Sequence, residues 1–587
     1  MNKKEKIICL FLGLALVWCF FSSKNTPSGN TVENDAASVV ESQTNVVAAA
    51  TQEVKSDIPS QEKGKTAEVK SSAPSVPEQI VTLENSELKI EVSSWGAAVK
   101  KATLKKYALK AGDIGEDNPS VDLCYTNSPL GALECADVLP SNAAYVVKEK
   151  GEDFVVFANA AAKIERKITL KGGYKVVFDD SFAGSPLGKN TTAMSMGSMI
   201  MGSSADDILS IDSLEQSSNK VVHYGSDDET PLYALLAGGT DGGCSCSGPR
   251  KVTPADPLSY TQKISSAQKW VALKDRFFVT AFAGSTQSNE GFVTTVLRDS
   301  QAAVFRPSEA SAKVVFGAGS EKRTSEFFVG PKVQSLLWDS GMKDVMDFGM
   351  WSWICYPMVW LLNFFNSLIP NYGVAIILLT ILVRLVFWPL TRKSTEGMKK
   401  MQEIQPLMKE LQQKFKDNPQ RLQQETWALY REKKVNPMSS CLPMLIQIPI
   451  FIALFNVLRS MVELRYAGFL WIGDLSAPEH LFASVFPFGG LNVLPLLMAL
   501  TMYIQSKLTP STGDKNQQRM MTVFMPLMML FMFYNFASAL SLYWTLSQVL
   551  SIIQMWMMRR ESERKRKVLE PEVIDPPTTT RQMRRHA

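Results

Sequence analysis

Histidine is almost missing from this chain: 587 residues contain three, His223, His480 and His586. A histidine-dependent catalytic site in the water-soluble part would have His223 alone to draw on. Cysteine is also sparse, with eight residues. With so few histidines and thiols, the sequence offers no zinc-ligand spacing. Cys9, Cys19, Cys355 and Cys441 fall in apolar segments and read as small hydrophobes. Cys124, Cys135, Cys244 and Cys246 fall in the more polar half, where one or two disulfides could form if that half is exported. The Cys244-Ser245-Cys246 spacing is too tight for an easy unstrained bridge. A Gly-rich phosphate loop of the Walker kind is absent, so nucleotide hydrolysis lacks its usual cradle. Nor does a small-x-small cleavage site follow the first apolar stretch, Ile7 to Phe21, which comes after Lys3, Lys4 and Lys6. Segment 1–21 therefore reads as an uncleaved signal anchor with its lysines in the cytoplasm. No cofactor, no metal and no enzymatic activity are expected.

What is present is strongly segregated. Residues 22–77 are Ser, Thr, Asn, Ala, Pro, Glu and Lys with few aromatics, which cannot bury a core and predict a disordered linker. Residues 78–335 carry short alternating or β-rich runs, such as Leu88 to Val92, Phe154 to Phe157, Ile164 to Leu170 and Phe277 to Phe282. Gly, Asp, Asn and Ser clusters separate them, which predicts a large antiparallel β domain, sandwich or barrel. From residue 350 to 558 apolar residues dominate, and the tail 559–587 opens with Arg559-Arg560 and contains Arg564-Lys565-Arg566-Lys567.

The distribution of charge orders the membrane part. The loop 392–440 holds more bases than acids, so the positive-inside rule places it in the cytoplasm. With the β domain outside, segment 350–368 cannot also span, and region 336–370 is expected to lie in the outer interface, with Trp351, Trp353 and Trp360 at headgroup level. True spans are then expected at 372–388, 441–460, 491–507, 520–536 and 540–558, making six with the anchor. Within 392–440, Met401, Ile404, Leu407, Met408 and Leu411 repeat at helical spacing. Asn418 is a good N-cap and Pro419 a good first-turn residue for a second helix ending near Val435, giving a cytoplasmic helical hairpin.

One residue in the core, 371–558, stands out. Arg384 lies inside the apolar run Tyr372 to Trp388. A guanidinium stays charged at any working pH, and holding it in hydrocarbon costs at least about 2.5–3.5 kcal/mol. Such a residue faces protein or a watery cavity, or it lies near the helix end and snorkels to the interface. Two other classes compete at this point. One is a transporter or channel that uses Arg384 for an anionic solute. The other is an enzyme in the exported β domain, acting for instance on sugars through an acid pair.

The stretch Lys433-Lys434-Val435-Asn436-Pro437-Met438-Ser439-Ser440-Cys441-Leu442-Pro443-Met444-Leu445-Ile446-Gln447-Ile448-Pro449-Ile450-Phe451-Ile452-Ala453-Leu454-Phe455 strongly resembles the YidC/Oxa/Alb membrane insertases. Thr380-Ile381-Leu382-Val383-Arg384 with Pro389-Leu390-Thr391, and Val462-Glu463-Leu464-Arg465, support it. Phe328-Val329-Gly330-Pro331-Lys332, with Trp270 to Phe282, is similar to the periplasmic domain of Gram-negative members. The resemblance implies an α-helical polytopic membrane protein with an all-β periplasmic β-supersandwich. Five of the spans would enclose a hydrophilic groove, open to cytoplasm and lipid and closed outside. It makes Arg384 the groove arginine, Thr380 the polar residue one turn before it, Gln447 part of a Pro-rich span, and Tyr543 and Trp544 an aromatic pair in the last span. A second tyrosine is common where Trp544 stands, an aromatic is more usual at Asn456, and the turn Phe536 to Leu540 lacks the usual Pro and Gly. The implied partners are nascent membrane protein clients, the Sec translocon, the lipid bilayer and the ribosome. Client or ribosome contacts would involve the basic tail and the cytoplasmic hairpin with Lys399, Lys400, Lys409, Asn418 and Pro419. The implied location is the bacterial inner membrane, with both termini cytoplasmic and the large domain periplasmic.

Overall fold

The computed structural model describes residues 77–569, except 111–113, 116–117, 126, 136–137, 201–208, 220, 225–258, 299–306, 347, 417, 436–441, 482–489 and 509–518. The expected anchor 1–21, nearly all of the linker 22–77, the end of the basic tail, and Cys9, Cys19, Cys244, Cys246 and Cys441 lie outside the described residues. Among those described, Cys124 and Cys355 are free thiols.

Ile164–Leu170 shows how the first half folds. Its side chains alternate between buried and exposed along IERKITL, as a half-buried strand requires. Among the described residues, such segments pair antiparallel into two nine-stranded sheets. One sheet runs from Ile80–Glu84 through Leu88–Ser93, Ala98–Ala108, Leu130–Glu134, Thr192–Ile200, Pro307–Phe316 and Asn289–Arg298 to Ser259–Ile264, with Ser120–Cys124 branching off Ala98–Ala108. The other runs from Val221–Tyr224 through Ser210–Glu215, Gln268–Lys274, Phe278–Ser285, Lys322–Pro331, Lys175–Ser181, Ile164–Leu170 and Phe154–Asn159 to Val146–Lys150. Phe282 meets Phe316 edge-on across the two sheets, and the Tyr125 hydroxyl bonds Thr280 Oγ1 at 2.7 Å. The result is the sandwich expected for this region.

Three charges sit in that dry layer. Arg166, Asp180 and Arg323 are 2% exposed or less. They stand side by side on adjacent strands, Arg166 and Arg323 each in register with Asp180. Arg166 holds Asp180 with two bonds, Nε to Oδ1 at 2.6 Å and Nη2 to Oδ2 at 3.2 Å. Arg323 Nη2 donates to the same Oδ2 at 3.2 Å and its Nη1 to Thr192 Oγ1 at 2.9 Å. Arg166 Nη1 reaches across to the carbonyl of Gly131 at 2.5 Å and that of Ala97 at 3.1 Å. Gly131 must be glycine: its φ is +84°, and a Cβ there would lie 2.3 Å from the Phe178 ring.

The helical part begins with α1 (Gln334–Asp339), followed by α2 (Ser352–Leu368), α3 (Tyr372–Val386), α4 (Trp388–Glu403), α5 (Gln405–Lys414), α6 (Pro419–Glu432), α7 (Leu442–Ser460), α8 (Val493–Leu508), α9 (Met525–Phe533) and α10 (Ser538–Leu569). A π-helical turn, Met520–Phe524, leads into α9. The apolar side of α2 buries Cys355, Met358, Val359 and Leu362, and the helix packs on α3 and α7. Its other side exposes Trp353, Trp360 and Phe364.

Three boundaries differ from expectation. The helix after Arg384 does not stop in a loop at 392, because α3 and α4 adjoin with a 59° bend at Phe387. Pro389, in the first turn of α4, cannot continue the α3 hydrogen-bond ladder, which accounts for the kink. The hairpin's first arm is two helices rather than one, since Pro406 breaks the ladder at Ile404. The last helix also does not end near 558; α10 continues to Leu569 because no Pro or Gly interrupts Arg559 to Leu569. Among the described residues, no single helix is both long and apolar enough to cross a membrane, though the bent pair α3–α4 passes by length and composition.

The β sandwich is joined to the helices through arginines that capture main-chain carbonyls. Arg276 donates to the carbonyls of Arg459 (3.1 Å) and Ser476 (2.7 Å). In the opposite direction, Arg465 Nη1 donates to the Ala108 carbonyl at 2.9 Å and lies against the Phe277 and Phe278 rings. Glu463, just past the end of α7, is caught in this joint. Its Oε2 is sealed from solvent with no hydrogen-bond partner, and burial pushes its carboxyl up to about 7. The folded protein therefore holds a proton there that the unfolded chain gives up near the ordinary carboxyl value of 4.5. Between those two values stability falls as pH rises, by about 3 kcal/mol, and above about 7 the contribution is level. Glu463→Gln should remove this decline, which thermal unfolding of the detergent-purified protein between pH 4.5 and 8 would measure. An unchanged slope in the variant would contradict the assignment.

Candidate functional site

The spacing of α3 puts Thr380, Val383, Arg384 and Phe387 on one face, at i, i+3, i+4 and i+7. That face turns toward α7 and α10, and together they enclose a cavity of about 30 Å³. Its lining is Thr380, Val383, Arg384, Phe387, Thr391, Gln447, Ile450, Tyr543 and Ser547. A space of this size holds about one or two waters.

Arg384 is the only charged residue in the lining. It is half-buried and does not lie along the outer side of its helix. Its Nε donates to Ser547 Oγ at 3.0 Å and its Nη2 to the same oxygen at 2.5 Å. No carboxylate among the described residues pairs with it, and Tyr543 lines the same cavity. Thr380 is buried and spends its hydroxyl on the Ile376 carbonyl one turn back, at 2.6 Å. Gln447 Nε2 approaches Ser547 Oγ at 3.5 Å, a long contact. Ser551 Oγ donates to the Ser547 carbonyl at 3.0 Å, tying the hydroxyl's own turn of α10.

Four residues singled out from sequence, Thr380, Arg384, Gln447 and Tyr543, are thus brought to one cavity. Trp544 is not among the lining residues. One residue after Tyr543 on a helix is about 100° further round. There it packs edge-on to Phe451 at 4.8 Å between centroids and tilted against Phe533 at 5.4 Å. Ser547 was missed, and Thr391, quoted with Pro389-Leu390 as part of a motif, was given no place in the site. The available signal was spacing: Ser547 follows Tyr543 by four, Ser551 follows by four more, and Thr391 follows Arg384 by seven.

On the hairpin, Asn418 caps α6 by accepting from the Arg421 amide at 3.1 Å, and Pro419 occupies its first turn. Lys400 and Lys409 are exposed, and the Lys399 side chain lies outside the described set. None of the bonds described joins these residues to the cavity lining. No group of three or more His, Cys, Asp or Glu side chains among the described residues could hold a metal.

Comparison with known proteins adds the family context. Residues 364–566 match a family described as 60Kd inner membrane protein, and residues 244–361 match the YidC periplasmic domain. The membrane protein insertase YidC of Chlorobaculum parvum is 32% identical over 508 residues, covering 81% of this chain and 81% of that protein. The protein of the same name from Syntrophobacter fumaroxidans is 41% identical over 298 residues, spanning 50% of this chain and about half of the relative, 54%. A solved structure of an active YidC insertase, with its first transmembrane domain resolved, shares 17% identity at a TM-score of 0.34, over 82% of this chain and 92% of that one.

Proposed function

Because this chain belongs to the family of YidC membrane protein insertases, we propose that it inserts membrane proteins by leading their polar segments past Arg384. The observation that carries this reading is a guanidinium among apolar helices, turned to a water-sized cavity that Gln447 and Ser547 also line, and paired with no carboxylate among the described residues. A polar segment crossing hydrocarbon loses water from its backbone and charges. A wet furrow part-way through the bilayer shortens that path. Arg384 offers charge-assisted hydrogen bonds to an acidic residue in the segment being exported. The client's apolar span leaves sideways into lipid, where burial drives the step. No nucleotide is hydrolysed and no enzymatic chemistry is needed.

In this reading the chain lies in a bacterial inner membrane with six spans, the anchor included, and the sandwich is periplasmic. The cytoplasmic hairpin and basic tail meet the ribosome through phosphate contacts. The protein works alone or beside the Sec translocon, assisting folding as well as insertion. The test is a pair of assays on the purified protein in liposomes. Client insertion without added nucleotide, with no flux of small anions, is the expected result. Anion flux without client insertion would place the chain among transporters instead.

A further inference from the structure

Ser547 is the residue whose hydroxyl Arg384 holds. It is 2% exposed, and its Oγ accepts from both Nε and Nη2 of the guanidinium. A hydroxyl oxygen has two acceptor sites; the guanidinium edge makes the two shorter contacts, and Gln447 Nε2 stands further off at 3.5 Å. Nη1 of Arg384 bonds no described residue, and Tyr543 belongs to the same lining. The hydroxyl satisfies donors but cannot neutralise charge. A carboxylate would form a stronger, charge-assisted, two-pronged pair with the same edge.

We infer that Ser547 is a placeholder: its hydroxyl occupies the edge of Arg384 that a client's carboxylate takes over. The inference rests on the groove reading above and adds to it a positioning residue on α10. A serine here keeps the guanidinium facing inward, satisfied yet exchangeable. An aspartate at the same place would pair with it permanently. An alanine would leave that edge unoccupied. Ser547 would therefore set how strongly acidic and neutral segments are distinguished, without itself touching the client's apolar span.

The test uses full-length protein in liposomes and two clients identical except for two exported residues, Asp in one and Asn in the other. The readout is the ratio of acidic to neutral insertion, with protein amount checked in the membrane fraction. Ser547→Asp should lower that ratio about tenfold, the scale of a lost hydrogen bond to a charged group, to the value for Arg384→Ala. Ser547→Asn has the same size without the charge and should keep the preference for the acidic client. Ser547→Ala should raise the yield of cross-links between the acidic segment and a photo-reactive group at position 383.

Equal loss with Asp and Asn would show that bulk alone matters and overturn the inference. So would a Ser547→Asp variant that keeps its acidic preference while Arg384→Ala loses it. If Arg384→Ala itself keeps the preference, the groove reading fails, and the placeholder fails with it.

Discussion

Replacing Arg384 with alanine lowers insertion of a client bearing aspartates in its exported segment by about tenfold or more, the scale of a charge-assisted hydrogen bond. The cause is local. The cavity lining contains no other charge, so no neighbour can substitute for the guanidinium. The variant leaves Ser547 Oγ without either of its Arg384 donors, but a hydroxyl beside a water-sized space is easily rehydrated. The loss should therefore appear in client handling more than in stability. Arg384→Lys should recover part of it, because a point charge remains while the forked pair does not. The measurement is insertion in cells depleted of the native protein, scored by protease protection of the exported segment. Unchanged insertion of the acidic client would count against any role for the charge.

The second large effect lies in the sandwich. Asp180→Ala removes the single carboxylate that two guanidinium groups share between the sheets. Arg166 keeps its carbonyl partners and Arg323 keeps Thr192, but two positive charges then face each other in a dry layer. Breaking a buried pair by deleting one partner costs about 3–5 kcal/mol, a large part of a domain's stability. The expected result is a sandwich that is cut early in limited proteolysis of the purified full-length protein and melts well below the parent. The triple replacement of Arg166, Asp180 and Arg323 by apolar residues of similar volume should recover much of that stability, since it removes the charges together. A stable Asp180→Ala variant would mean that water reaches the triad.

These two sites differ in how far the sequence disclosed them. Arg384 was legible because a charge in a long apolar run violates the pattern around it. The strand Ile164–Leu170 was legible because burial follows its alternation residue by residue. The triad was not: Arg166 and Asp180 are ordinary polar residues in their strands, and only register places both opposite each other and beside Arg323. For Ser547 the i, i+4 spacing from Tyr543 gave its face on the helix but not its partner. Serine in an apolar helix commonly bonds its own backbone, and nothing local says that α3 brings an arginine alongside. Trp544 shows the converse limit. Adjacent aromatics read as a pair in sequence, yet a helix sends them about 100° apart, one to the cavity and one to Phe451 and Phe533. The bend at Phe387 and the break at Ile404 follow from Pro389 and Pro406, whose effect on a ladder was readable but whose angle depends on packing.

The central claim is that polypeptide passes along the inward face of α3. A photo-reactive amino acid placed at Val383, which lines the cavity, and separately at Leu385, which is 60% exposed on the outer side, would test it during insertion of a stalled client. The account predicts that the polar segment cross-links to position 383 and not to 385. Cross-links at 385 alone, or at neither position while insertion proceeds, would contradict it.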